Sequence, residues 1–147
     1  RDGFDLPALW RDIDALDKER VKVATALGSA VPRLSEYFFQ MGYTNEDGHS
    51  GGTAYDVFHN SEPNRWIRAP QSIDHRFFNE DIPFGLIPLS EFGRLAGVPM
   101  PASNAVIVLA EIAVGRTYSD SGLTLERMGI DGLSPEKLKQ LLHRGYQ

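Results

Sequence analysis

Residues 104–115 read Asn-Ala-Val-Ile-Val-Leu-Ala-Glu-Ile-Ala-Val-Gly, a run that is apolar almost all round. A helix with no polar face must be buried, in protein or in lipid. Crossing a bilayer takes about 20 apolar residues, and no run in this chain is that long. The run is therefore expected to be the buried central helix of a globular domain, with no membrane partner. Glu111 interrupts it and needs Arg94, Arg116 or one wet face.

Other helices must pack around such an element, and the sequence supplies them. Over residues 5–27, Leu6, Leu9, Trp10, Ile13, Leu16, Val23, Ala24 and Leu27 recur at three- and four-residue steps. Asp5 is placed to cap this helix, Pro7 fits its first turn and Gly28 ends it. Arg20 falls on the apolar stripe with Asp17 three residues earlier, which reads as a structural ion pair. Residues 32–42 read as a second helix, with Pro32 in its first turn and Gly42 at its end. A turn-rich polar loop follows over 43–52, and Thr53 caps a short helix to about Asn60. Residues 61–73 read as an ordered loop in which Trp66 either pins the loop to the core or, between Arg65 and Arg68, lines an acidic ligand's pocket. Val98-Pro99-Met100-Pro101 forces an extended connection. Thr124 caps a short helix ended by Gly129, and Ser134-Pro135-Glu136 starts the last one, where Lys139, His143 and Arg144 suit the C-terminal end. No strand pattern is found. The expected fold class is all-α, about seven helices in one domain over residues 1–147.

The chemistry concentrates in His75-Arg76-Phe77-Phe78-Asn79-Glu80-Asp81-Ile82-Pro83-Phe84-Gly85-Leu86-Ile87-Pro88. Charges set among aromatics are neither core nor solvated loop. Beside apolar walls their electrostatics strengthen, because the local dielectric is low. Pro83 disfavours the α region for Ile82, so a helix over 75–80, capped by Asp74, is expected to stop by Ile82. A new helix then runs from 84 to 96, ended by Gly97. Arg76 and Glu80 share a face of the first helix, while Asp81 turns away from it. The spacing alone also fits a surface Arg–Glu pair beside a capping Asp.

The chain has 147 residues, 15 basic and 20 acidic, for a net charge of −5. That balance argues against a nucleic-acid or anionic-membrane surface, though not against a local basic pocket. Zero cysteines remove disulfides and thiolate metal sites and are compatible with a reducing, cytoplasmic compartment. Histidines 49, 59, 75 and 143 show no metal-ligand spacing. The glycines of 48–52 do not form Gly-x-Gly-x-x-Gly, and no strand precedes them, so no dinucleotide site is read here. No Gly-x-Ser-x-Gly elbow is present. The first residues, Arg1-Asp2-Gly3, suggest a chain that begins partway through a larger protein.

The run Arg76-Phe77-Phe78-Asn79-Glu80-Asp81-Ile82-Pro83-Phe84-Gly85-Leu86-Ile87-Pro88, then Gly93-Arg94-Leu95-Ala96-Gly97-Val98-Pro99-Met100-Pro101, resembles the C-terminal helical domain of the NAD/NADP octopine/nopaline (opine) dehydrogenases. Leu16 to Ala24 and Gly122 to Ile130 are similar to the family's preceding helix and closing segment. The likeness covers most of residues 9–132, with the loop at 44–73 poorly matched. It implies a compact multi-helix domain like the C-terminal domain of 6-phosphogluconate dehydrogenase-like enzymes. It also implies an activity: joining an amino acid to a 2-oxo acid and reducing the imine with NADH or NADPH.

By that resemblance Arg76 matches the arginine that binds a substrate carboxylate, and Asp81 the aspartate that pairs with a catalytic histidine. The family's histidine lies upstream of the region matched here, and no histidine precedes His49. The nucleotide-binding domain that would hold NAD or NADP is likewise expected outside this chain, which alone should be inactive. The partners implied are the two small substrates and that missing domain. A homodimer is also possible for a helical domain of this kind. Two alternatives remain at this point: the helical domain of another hydroxyacid-type NAD(P) dehydrogenase, and a non-catalytic helical interaction domain whose charged stretch is a partner surface.

Overall fold

A computed structural model describes residues 10–68 and 70–145, apart from the side chain of His143. Among them there is no strand, so the all-α expectation holds. The described residues form seven α-helices: α1 (Arg11–Ala26), α2 (Leu34–Gln40), α3 (Glu46–Gly51), α4 (Ala54–His59), α5 (Ile87–Ala96), α6 (Pro101–Val114) and α7 (Pro135–Arg144). A π-helix, Phe77–Leu86, runs directly into α5. The contacts divide the chain into two compact units, residues up to 21 with 30–69, and 22–29 with 70–147. The expected cap Asp5, Pro7 and the apolar Leu6 and Leu9 lie outside the described residues.

In the first unit, α1 is anchored by Asp17. Its carboxylate is buried and accepts from Arg20 at 2.6 Å, from Arg33 Nε at 2.5 Å and from the Leu34 amide at 3.1 Å. The Asp17–Arg20 pair is thus structural, as its spacing suggests. Arg33 recruits the start of α2 to the same carboxylate. Pro32 precedes α2 instead of sitting in its first turn, because its carbonyl is taken by Arg20 Nη2 at 2.6 Å. The polar stretch after Gly42 is not all loop. Asn45 accepts from the Gly48 amide and caps α3, a local cap that lets six polar and small residues make a turn and a half. Thr53 caps α4 with a capping box to Asp56, as expected. Phe58 stacks on Trp10 at 5.3 Å and meets Phe38 edge-on at 5.2 Å, closing the unit over Val57. Trp66 is 76% exposed, so it does not pin its loop; Arg65 lies 5.8 Å from its ring centre.

The second unit has two apolar clusters. Ile82, Ile87, Ile107, Ala110 and Tyr118 form one, and Leu125, Ile130 and Leu138 the other, the latter joined by Leu27 from the end of α1. Gly97 and Gly115 stop α5 and α6 in the left-handed region, at φ 68° and 67°. Ser134 caps α7 by accepting from the Lys137 amide. Thr124 accepts from the Arg127 amide at 3.2 Å, but the residues to Gly129 make only a turn, not a helix. Four residues give too few internal hydrogen bonds to offset helix nucleation.

Further expectations fail in this unit for physical reasons. The helix α6 is central on one face only. Ser103, Ile107 and Ala110 are buried, while Val108, Leu109 and Ile112 are 52%, 66% and 73% exposed. Composition reports that a surface is apolar, not that this chain itself covers it. Nor does the chain break at Pro83. In an α-helix the proline ring would collide with the Asn79 carbonyl, four residues back. The segment avoids this by widening to i→i+5 bonding, seen in the Ile87 N–H donated to the Ile82 carbonyl. The expected 84–96 helix is therefore α5 with a π-helix continuous before it. Asp74 is not its cap; Arg76 occupies that position without a side-chain cap bond, and the Asp74 carboxylate accepts from Asn79 Nδ2 at 2.8 Å.

Candidate functional site

The π-helix divides cleanly into two faces. Ile82, Pro83 and Ile87 are buried, with Phe78 and Leu86 packed against the same cluster. Arg76, Phe77, Glu80, Asp81, Phe84 and Gly85 are all exposed. The step between exposed pairs is four, which suits a wide helix. Phe77 is 40% and Phe84 58% exposed, a high value for phenylalanines flanking charges. No atom lies near a Cβ built at Gly85, so this face is open as well as exposed.

On that face Arg76 Nη2 sits 3.3 Å from Glu80 Oε2, so the pairing that the spacing predicts is present. Asp81 does not turn away from its helix, as a break at Pro83 would require. In i→i+5 bonding each turn takes in more residues than in an α-helix, which brings Asp81 closer to the side of Arg76 than α geometry would. Its carboxylate has no hydrogen bond or ion pair among the described residues. His75 is half-buried and T-shaped against Phe77 at 4.5 Å, with its Nδ1 3.4 Å from the Phe77 amide. The site thus offers one fork-shaped cation, two carboxylates and two aromatic walls, with every charged group accessible.

Glu111 is not paired with Arg94 or Arg116. Its Oε1 accepts from the Tyr118 amide at 2.7 Å. Arg94 goes to Glu91 at 3.2 Å and Asp131 at 2.9 Å, and Arg116 lies 5.2 Å from the Tyr118 ring centre. A cavity of about 1060 Å³ lies in the other unit, lined by Trp10, Tyr43, Phe58, His59 and Arg65 among others. Its polar groups are largely spoken for: Thr44 donates to the Val57 carbonyl, Asn60 to that of Asp56, and Arg65 to Glu62. The open charged face of the π-helix is the better candidate. Among the described residues, no group of three or more His, Cys, Asp or Glu is placed to hold a metal. No described helix is long and apolar enough to cross a membrane.

Residues 1–114 match the family model described as the NAD/NADP octopine/nopaline dehydrogenase alpha-helical domain. The chain belongs to this family. An opine dehydrogenase from Arthrobacter sp. (strain 1C) is 33% identical over 128 residues, 87% of this chain and 34% of the relative. A vitopine synthase from Allorhizobium ampelinum is 26% identical over 141 residues, 94% of this chain and 37% of that protein. The chain therefore spans about a third of the length of these relatives. A solved structure of octopine dehydrogenase with NADH and L-arginine superposes at a TM-score of 0.68 and 18% identity, over 95% of this chain and 40% of that one, a likeness of fold.

The strand and glycine turn that commonly hold a dinucleotide are not found among the described residues. The glycines at 48 and 51 are packed by their own unit, since a Cβ on either would collide with Thr44 Oγ1 or Asp56.

Proposed function

We propose that this chain is the substrate-binding helical domain of an opine dehydrogenase-like cytoplasmic oxidoreductase that condenses an amino acid with a 2-oxo acid using NADH or NADPH. The observation that carries the reading is the open π-helix face, where Arg76 and Asp81 stand in the family's Arg-Phe-Phe-x-Glu-Asp-Ile-Pro run without a burying partner. NAD or NADP is held mainly by a nucleotide-binding domain outside this chain, consistent with the third of the relatives' length that the chain spans.

In this reading Arg76 binds a substrate carboxylate. A guanidinium is planar, always charged and matches a carboxylate with two parallel hydrogen bonds. Its present partner, Glu80, is 58% exposed, and an exposed pair of this kind is worth only about 0–1 kcal/mol. A substrate carboxylate can replace Glu80 at little cost. Asp81 accepts from one nitrogen of a histidine supplied from outside the chain, which fixes the tautomer and supports the imidazolium as the proton is passed. Phe77 and Phe84 line the approach and lower the local dielectric once the face is covered.

The test uses the full-length enzyme, assayed by NADH or NADPH oxidation with a panel of 2-oxo acids and amino acids. Arg76→Ala should raise KM roughly 10- to 100-fold, the worth of a charged hydrogen bond pair. Asp81→Asn should lower kcat about 10²- to 10⁴-fold. Wild-type kinetics in both variants would remove the site assignment. Turnover by the isolated 147-residue chain would refute the need for a second domain.

A further inference from the structure

The signature segment carries two prolines five residues apart, Pro83 and Pro88, and that spacing strands one carbonyl. The Pro83 carbonyl would accept from residue 87 in an α-helix or from residue 88 in a π-helix. The Ile87 N–H is given to Ile82, and Pro88 has none. Pro83 is buried, so an unpaired carbonyl there would be costly. The donor comes from the closing segment: the Leu123 N–H reaches the Pro83 carbonyl at 2.8 Å.

Residue 122 must be small for this to happen. A Cβ at Gly122 would lie 2.9 Å from the Pro83 carbonyl, 2.9 Å from that of Tyr118 and 3.1 Å from Ile87 Cγ2. The Gly122 N–H is bonded to the Tyr118 carbonyl at 2.6 Å, and the Tyr118 N–H to Glu111 Oε1 at 2.7 Å. A continuous chain of bonds thus runs from α6 to a carbonyl of the π-helix that its own sequence cannot satisfy. It also explains why an otherwise apolar helix keeps a glutamate.

We propose that Glu111, Tyr118, Gly122 and Leu123 form a positioning clamp that holds the signature segment in its π register and keeps Asp81 on the face of Arg76. The inference rests on the site reading above. Without Leu123, the Pro83 carbonyl competes with that of Ile82 for the Ile87 N–H, and winning it is the α-type bond. Tightening that turn rotates the π-helix against α5, and a segment converted wholly to α geometry, at about 100° per residue, would carry Asp81 roughly 140° round from Arg76. With the clamp in place, Ile87 stays with Ile82 and the two side chains stay together.

The experiment is a double-mutant cycle in the full-length enzyme. Gly122→Ala should lower kcat at least tenfold in the wild-type background and have little further effect in Asp81→Asn. An equal loss in both backgrounds overturns the positioning role. Glu111→Ala and Glu111→Gln supply a second arm should Gly122→Ala fail to fold. The glutamine oxygen still accepts from Tyr118, so kcat should fall in the alanine variant and recover in the glutamine one. Equal losses in the two overturn the anchor. Amide hydrogen exchange at Leu123 separates the clamp from the site reading: it should be slow in wild type and fast in Gly122→Ala. Fast exchange in wild type refutes the clamp whatever Asp81 does. Wild-type kcat in Asp81→Asn refutes the site reading, while Leu123 exchange still reports the clamp.

Discussion

Two arginine–carboxylate clusters in this chain share nearly the same spacing and have opposite characters. Asp17 and Arg20 lie three apart on α1, and Arg76 and Glu80 four apart on the π-helix, with Asp81 beside them. The Asp17 side chain is 5% exposed, and its two oxygens receive two guanidiniums and a backbone amide. Arg76 and Glu80 are 67% and 58% exposed, and Asp81 has no partner among the described residues. The first cluster has used its hydrogen-bonding capacity on its own fold. The second has kept it. Sequence spacing does not separate the two cases; satisfaction of the carboxylate does.

The largest expected effect tests the first half of that contrast. Asp17→Ala removes the shared partner of Arg20, Arg33 and the Leu34 amide. Breaking a buried pair costs about 3–5 kcal/mol. Both guanidiniums here are about 40% exposed and can rehydrate, so we expect the lower part of that range or somewhat less, roughly 2–3 kcal/mol. Urea denaturation gives the number. A loss below about 0.5 kcal/mol, the level of an ordinary surface change, would mean the cluster is no more structural than the exposed one.

The acid limb of stability should follow the same carboxylate. Burial pushes the Asp17 carboxyl up, but the hydrogen bonds from Arg33, Arg20 and the Leu34 amide outweigh it and hold the group below its ordinary value of 3.8. The folded state therefore binds its proton less readily than the unfolded chain, whose aspartates titrate near 3.9. Its contribution is fully present above that unfolded value and is lost as pH falls through the lower folded one. Stability measured from pH 6 down to the acid transition should fall less steeply in Asp17→Asn than in wild type. An unchanged slope would place the acid sensitivity elsewhere.

The contrast also separates what residue patterns can and cannot reveal. Thr53 and Ser134 cap α4 and α7 as their neighbours indicate, because a cap is a local bond between residues three apart. The Asp17–Arg20 pair is legible for the same reason, although Arg33, thirteen residues beyond Arg20, is not. Pro83 misleads because the rule it invokes assumes α geometry; the spacing to Pro88 carries the signal, and it becomes meaningful only once Leu123 is seen to supply the donor. The buried face of α6 was legible from its apolar run, and its exposed face was not, since Val108 and Ile107 look alike until neighbours are placed. In the candidate site, the identity of Arg76 and Asp81 came from family resemblance, whereas their placement on one face came from the π register.

The smallest effect is expected where the second cluster is cut, and its smallness is what makes it informative. Arg76→Ala removes an ion pair between two well-exposed side chains. Such pairs contribute about 0–1 kcal/mol, and surface substitutions usually stay within about 0.5 kcal/mol of wild type. The urea midpoint of the Arg76→Ala chain should therefore be almost unchanged, while the same substitution in the full-length enzyme raises KM. A stability loss of about 2 kcal/mol, matching that expected of Asp17→Ala, would make Arg76 a second fold-supporting arginine and erase the contrast. An unchanged midpoint with a raised KM keeps it, because a residue that costs the fold nothing and the reaction much is held there by the reaction.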